Sequence, residues 1–283
     1  MSNFLQDEEW VAIDTETSGL NPWQHEVIEI GAVLFNFHEV LDRFSILITP
    51  TRKQDPRSRK IHNISNEELE EKGTTPQLAL EGLLKFIGSR PLIFHNAPFD
   101  VSFLTRMAQE CEIQLSANSY YDSLFLSRKY FPERKSHSLQ SLRDLLQIDT
   151  GVAHRALADA EATAGVFVHI LNKFETSLTS RKKWLDFAKL NYKLNKFRIK
   201  LPKNLDKIQR YFDELIRSQR LIKVDYKNRE GRQIKTTVVV QEVMIFNQKL
   251  FLKAKFMSKD EAELIPVFMA TFHDQELGLV QFK

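Results

Sequence analysis

The chain has 283 residues, of which 42% are hydrophobic and 27% charged, with a net charge of +3. Those proportions exclude a disordered or collagenous chain and suit a globular protein of one large or two ordinary domains. The single cysteine, Cys111, excludes an intrachain disulfide and points to a reducing, cytoplasmic setting.

Residues 1–10 carry Asp7, Glu8 and Glu9 and no apolar run, so no signal peptide is expected. No apolar segment reaches the roughly 18 residues that span a bilayer, and no membrane partner is expected. The weak positive charge permits a nucleic-acid partner without requiring one.

The first element is an apolar strand, Val11-Ala12-Ile13, that runs into Asp14-Thr15-Glu16. On a strand, residues two apart point to the same side, so Asp14 and Glu16 project together. Two carboxylates so close repel each other, and a hard divalent cation removes that cost. A surface strand followed by a turn is the bland alternative. Ser18-Gly19-Leu20 then turns the chain. Residues 27–35 and 44–48 read as two further strands, completing an antiparallel meander. Residues 52–60 read as a basic loop. Thr75-Pro76 has the form of an N-cap followed by proline at the first helical position, and predicts an amphipathic helix to about residue 87.

Residues 91–94 form a short apolar run that predicts a buried fourth strand. His95-Asn96-Ala97-Pro98-Phe99-Asp100 follows, with Pro98 suited to a helix's first turn and Asp100 therefore near a strand tip, where α/β proteins build their sites. Such an aspartate is more often simply a partner of the helix dipole. Residues 119–122 give a weak strand signal. Short helices are expected over 124–130 and 139–146, and a long alanine-rich helix runs from near Gly151 to about residue 174. His154 and Asp159 are five apart, so within one helix they diverge by roughly 140°. They converge only if His154 lies on a loop before the helix and Asp159 one turn inside it.

Asp14-Thr15-Glu16 with Thr17-Ser18-Gly19-Leu20, then His95 to Asp100, then His154 and Asp159 within His-Arg-Ala-Leu-Ala-Asp-Ala-Glu-Ala-Thr-Ala form three motifs in order. Over about residues 8–175 the chain resembles the DnaQ-like 3′–5′ exonucleases with an Asp-Glu-Asp-Asp-His active site, the group containing the proofreading subunit of bacterial replicative polymerase. The resemblance implies a ribonuclease-H-like α/β fold, a mixed five-stranded sheet flanked by helices. It also implies two ions, Mg²⁺ or Mn²⁺. Asp14 would bridge both, Glu16 and Asp159 would complete the first site, and Asp100 would support the second. His154 would act as general base, a role that suits a free imidazole near neutral pH.

Hydrolysis would release nucleoside 5′-monophosphates from a free 3′ end. In the family, backbone groups near Thr17 and Gly19 face the terminal 3′-hydroxyl, and the residue matching Leu20 wedges beside the last base. Phe99 stacks on a base or sugar, or packs in the first turn of its helix. His95 and Asn96, also placed at the substrate side, are expected mainly to order the second motif's loop. His62, within Ile61-His62-Asn63-Ile64, reads as part of a packed loop.

Beyond the exonuclease-like domain, taken as 1–175, the composition shifts to a basic helical linker over 176–210. Lysines and arginines there are interleaved with Trp184, Phe187, Tyr192 and Phe197. That mixture suits nucleic-acid contact, or a solvated helix whose aromatics pack on a neighbour. Glu175-Thr176-Ser177-Leu178 is similar to the sliding-clamp peptide of proofreading subunits but lacks its glutamine.

Residues 211–283 read as a small β-barrel-like accessory domain. Strands are expected over 221–226, 236–241, 243–246, 250–256 and 264–272, with a turn at Asn228 to Gly231. Their order is similar to the WYL domain, although Leu250-Phe251-Leu252 replaces the name-giving tryptophan and tyrosine. The leading expectation is a metal-dependent 3′–5′ exonuclease acting on DNA, with a DNA polymerase or sliding clamp as candidate partner. The same chemistry on RNA is one alternative. A non-catalytic nucleic-acid or polymerase-binding module is the other.

Overall fold

The structure is a computed structural model that describes residues 8–52, 54–148, 154–174, 192–197, 205–227, 232–246, 249–257, 262–267, 270–274 and 278–281. Gly151, the clamp-like residues 175–178, most of the basic stretch and the turn at 228–231 lie outside the described residues. The chain divides into two compact units, Met1–Arg198 and Ile199–Lys283.

The first unit is built on strands β1 (Trp10–Thr17), β2 (Val27–Phe35) and β3 (Val40–Leu47), which form the expected antiparallel meander. β4 (Leu92–Phe94) joins β1 in parallel, and β5 (Ser119–Asp122) joins β4 in parallel. Helix α1 (Pro56–His62) occupies the stretch expected to be a loop. Asp55 caps it, Pro56 starts it, and Asn63 ends it in the left-handed conformation. These are local start and stop signals that its charge-rich composition obscured. α2 (Asn66–Lys72), capped by Ser65, follows. α3 (Pro76–Ile87) begins where the Thr75-Pro76 pair predicts, with the Thr75 hydroxyl accepting from the Leu78 N–H. α4 (Ala97–Glu110), α5 (Ser123–Tyr130), α6 (Leu139–Leu146) and α7 (Ala156–Phe174) complete the helices of this unit among the described residues.

The sheet has six strands rather than five, in the order β3-β2-β1-β4-β5-β6. The sixth, β6 (Tyr192–Lys193), pairs antiparallel with Ser119 and Tyr120. Stacking of Tyr192 on Tyr120 at 5.5 Å and burial of Leu194 hold it there. A two-residue strand inside a basic stretch has no periodicity to betray it. One face of the sheet, carrying Trp10, Ala12, Val33 and Phe35, is covered by α7 through Phe167, Ile170 and Leu171. The Trp10 and Phe167 rings lie 5.0 Å apart. Val11 and Ile13 of the opposite parity are buried too, so both sheet faces are covered.

In the second unit, α8 (Leu205–Ser218) precedes β7 (Leu221–Lys227), β8 (Gln233–Phe246), β9 (Lys249–Phe256), β10 (Ala262–Pro266), β11 (Ala270–Asp274) and β12 (Gly278–Val280). They form one antiparallel sheet in the order β10-β9-β8-β7-β11-β12. The two strands expected over 236–246 are one strand, β8, with a register shift between Val240 and Glu242. α8 buries Ile208, Phe212 and Leu215, and Phe212 meets Phe272 of β11 at 5.2 Å. Beneath them Asp274 accepts from the Tyr211 hydroxyl at 2.9 Å and from Arg220 at 3.2 Å. No helix among the described residues is long and apolar enough to cross a membrane.

Candidate active site

Asp14 and Glu16 emerge from β1 half-buried and on the same side, while Thr15 between them is buried. Thr15 links the first motif to the second. Its N–H and its hydroxyl both donate to Asp100 Oδ1, at 3.0 and 2.7 Å. Asp100 sits in the first turn of α4, only 2% exposed, just beyond the carboxyl end of β4. The third motif closes the pocket as the five-residue spacing demands. His154 lies before α7 with φ of 63°, and Asp159 lies in the helix's first turn. The His154 N–H donates to Asp159 Oδ2 at 3.1 Å. Glu16, His154 and Asp159 each offer a ligand atom within 4.8 Å of the others.

These groups share one electric field. Burial and then the charges of Asp100, Glu16, Asp159 and Glu29 hold the Asp14 carboxyl well above its ordinary range. Glu16 is pushed up to about 8 by burial, with Asp159, Glu29 and Asp100 adding repulsion. Asp100 is pushed up to about 7 by burial, against the two hydrogen bonds from Thr15. Burial also raises Asp159, opposed by the His154 N–H and by Arg143. Carboxylates gathered and partly desolvated in this way form a donor set of hard oxygens that fits a divalent cation.

Several supporting residues were not evident beforehand. Glu29, 1% exposed and directly opposite Glu16 in the β1–β2 ladder, accepts from Arg155 Nη2 at 2.9 Å and from the Ala156 N–H at 3.0 Å. It therefore fastens the start of α7, and with it His154 and Asp159. The available signal was a charged residue inside the apolar run 27–35. Arg143 of α6, 7% exposed, reaches Asp159 Oδ1 at 3.1 Å, and no local pattern marks it. Gly31 lets α7 touch the sheet, because a Cβ there would lie 2.2 Å from the backbone of Ala156 and Leu157. Gly31→Ala is expected to destabilise the protein by about 2–4 kcal/mol through overpacking against backbone. Calorimetry should record a Tm drop of roughly 5–15 °C; an unchanged Tm would refute the contact.

The remaining candidates fall around the pocket. The Thr17 hydroxyl donates to the Gly19 carbonyl at 2.6 Å, Gly19 lies under the His25 ring, and Leu20 is exposed. His95 is engaged within the protein through both ring nitrogens. Nε2 lies 3.0 Å from the His137 carbonyl and so donates, leaving Nδ1 to accept from Ser123 at 2.8 Å. Burial depresses His95 to about 4, so the ring is neutral. Asn96, at φ of 71°, donates its N–H to Asp122 at 3.0 Å, and Phe99 lies half-buried with its ring 5.0 Å from that of Phe103. His62 ends α1 rather than lying in a loop, 3% exposed, with Nδ1 accepting from the Ile64 N–H at 3.0 Å.

Comparison with known proteins finds relatives of the first unit. The sequence profile of an exonuclease family, RNase_T, matches residues 11–167. The DNA polymerase III subunit epsilon of Rickettsia prowazekii is 37% identical over 166 residues, covering 56% of this chain and 72% of that protein. The epsilon subunit of Pasteurella multocida is 33% identical over 179 residues, covering 59% and 70%. DNA polymerase III PolC-type of Caldanaerobacter subterraneus is 32% identical over 169 residues, but the chain spans only 12% of its length. The nuclease domain of 3′hExo, described as a DEDDh family member bound to rAMP, shares the fold with a TM-score of 0.52 at 20% identity. That match covers 61% of this chain and 95% of the other. With half of the chain matched and the acidic pocket formed from the same stretch, the protein belongs to the RNase_T exonuclease family.

Proposed function

We propose that the chain is a metal-dependent 3′–5′ exonuclease that hydrolyses DNA to nucleoside 5′-monophosphates. The observation that carries this reading is geometric: three separate stretches converge, with Thr15 between Asp14 and Glu16 hydrogen-bonded to Asp100, and with Glu16, His154 and Asp159 offering ligand atoms within 4.8 Å of one another. Two ions, Mg²⁺ or Mn²⁺, once bound, would neutralise the phosphate and acidify a water. Asp14, Glu16 and Asp159 would hold them, and Asp100 would support them while Thr15 keeps its carboxylate oriented. Arg143 would restrain Asp159 without competing for the pocket's centre.

His154, exposed at the pocket's rim, would take the proton from the attacking water through its ring. The backbone at Thr17 and Gly19 would receive the terminal 3′-hydroxyl, with Leu20 and Phe99 against the last nucleotide. His95 and Asn96 would contribute by fixing the loop that carries Asp100. DNA is favoured over RNA by the relatives named as DNA polymerase III epsilon subunits, and the same names suggest a DNA polymerase assembly as partner in the cytoplasm. The second unit would be an accessory domain of WYL-like strand order, with Leu250 and Phe251 in place of the name-giving tryptophan and tyrosine.

End-labelled DNA and RNA oligonucleotides, incubated with Mg²⁺, Mn²⁺ or chelator, test the reading. Stepwise loss from the 3′ end of DNA, dependent on metal, is expected. Binding without cleavage in every metal would overturn it.

A further inference from the structure

The outer face of the second unit's sheet has a chemistry that the exonuclease site does not use. Strand alternation sends Ile222, Val224 and Tyr226 of β7 into the core under α8, and Leu221, Lys223, Asp225 and Lys227 to the other side. The ladder registers set the neighbours. Lys223 lies opposite Thr237 of β8 and His273 of β11, Asp225 opposite Lys235, and Val239 opposite Lys255 of β9. Lys223, Lys227, Lys235 and Lys255 are all exposed.

Asp225 and Glu242 offset part of this charge, through Lys235 at 3.5 Å and Lys253 at 3.6 Å. Lys223 and Lys227 form no ion pair among the described residues. Leu221 and Met257 stand 45% and 63% exposed beside the lysines. The sequence shows the same bias: the chain's net positive charge is carried by residues 199–283, where Lys and Arg outnumber Asp and Glu, while the preceding residues are slightly acidic.

A sheet face on which exposed lysines outnumber carboxylates fits a polyanion. Lys223 and Lys227 are four residues apart along β7, roughly 14 Å, and Lys235 lies between them on the adjacent strand, about 4.8 Å to the side. The lysines can therefore meet phosphates along one strand while Leu221 and Met257 meet sugars or bases. We propose that this lysine-bearing face of β7, β8 and β9 binds the phosphate backbone of a nucleic-acid strand, as a second contact separate from the acidic pocket. The choice of occupant rests on the exonuclease reading, since a nuclease whose catalytic unit is slightly acidic gains most from a cationic surface elsewhere in the chain. Each phosphate neutralised on a single strand releases counterions and adds about 0.7 to the slope of log K against log salt.

The test uses the full chain with all active-site residues intact, in chelator so that nothing is cleaved. Anisotropy of a labelled 20-nucleotide DNA strand gives Kd from 50 to 200 mM salt, for the native protein and for Lys223→Gln/Lys227→Gln/Lys255→Gln. The variant is expected to bind roughly tenfold more weakly at the lower salt, with a slope smaller by about 2. Its turnover of a dinucleotide in Mg²⁺ should equal that of the native protein, and an unchanged thermal melt certifies the fold. Equal Kd and slope for the two proteins would overturn the proposal. So would competition by poly-glutamate with no change in oligonucleotide affinity, which would mark the face as an acidic-protein site. Lysine-dependent binding by a protein without nuclease activity would sink the exonuclease reading and leave this one standing.

Discussion

Asp14→Asn is expected to lower kcat/KM by roughly 10³-fold or more, about 4 kcal/mol of transition-state stabilisation, while raising the stability of the metal-free protein. Both effects have one cause. The carboxylate at position 14 is held among Asp100, Glu16, Asp159 and Glu29, and each adds to the cost of its charge. Asparagine keeps the shape and removes that repulsion, together with an anionic oxygen the cations need. The sign of the pH dependence follows from Glu16, which rises from 4.5 to about 8 in the folded protein.

A carboxyl whose folded value is raised binds its proton more tightly folded than unfolded. Its contribution is therefore fully present below about pH 4.5 and is lost as pH climbs to 8. Melting curves of the metal-free protein should show Tm falling across that window, less steeply for the variant. At pH 8 the variant should be more stable by about 1–3 kcal/mol. Mg²⁺ should restore Tm in the native protein at pH 8 and do little at pH 5. A variant that is active, or less stable than the native protein at pH 8, would refute the cation role of Asp14.

His154→Ala is expected to cost roughly 10²–10⁴ in kcat, the usual weight of a positioned general base. KM should stay within a few-fold, because the exposed ring contributes little to binding the strand. Its distance to Glu16 and Asp159 leaves a rival role as a cation ligand, and the Mg²⁺-induced rise in Tm separates the two. A base leaves that rise intact on removal and is partly rescued by added imidazole. A ligand takes the rise with it, and that outcome would overturn the assignment. The backbone conformation at His154, with φ of 63°, adds a structural constraint: its N–H is already committed to Asp159. The alanine variant keeps that N–H, so the contact to Asp159 survives the substitution.

Short-range chemistry explains which features could be read without coordinates. The alternation of β1, the proline and cap at α3, and the spacing of His154 and Asp159 are each decided by residues within a turn or two of one another. So the first four strands, the helices from α3 onward in the first unit, and the stretches that carry the acidic residues and His154 were legible in the order of residues. The α1 helix escaped because its cap and stop are single residues in a charged run, and β6 because two residues carry no period.

Tertiary structure alone decided the rest. Glu29 acts on α7 from 127 residues away, Arg143 meets Asp159 from a different helix, and Gly31 matters only because another backbone lies against it. The lysine face exists only once β7, β8 and β9 are in register. Sequence thus determined which groups carry the charge and the local conformations that aim them. Folding determined how closely like charges must sit, because burial and repulsion depend on distances that no spacing along the chain encodes.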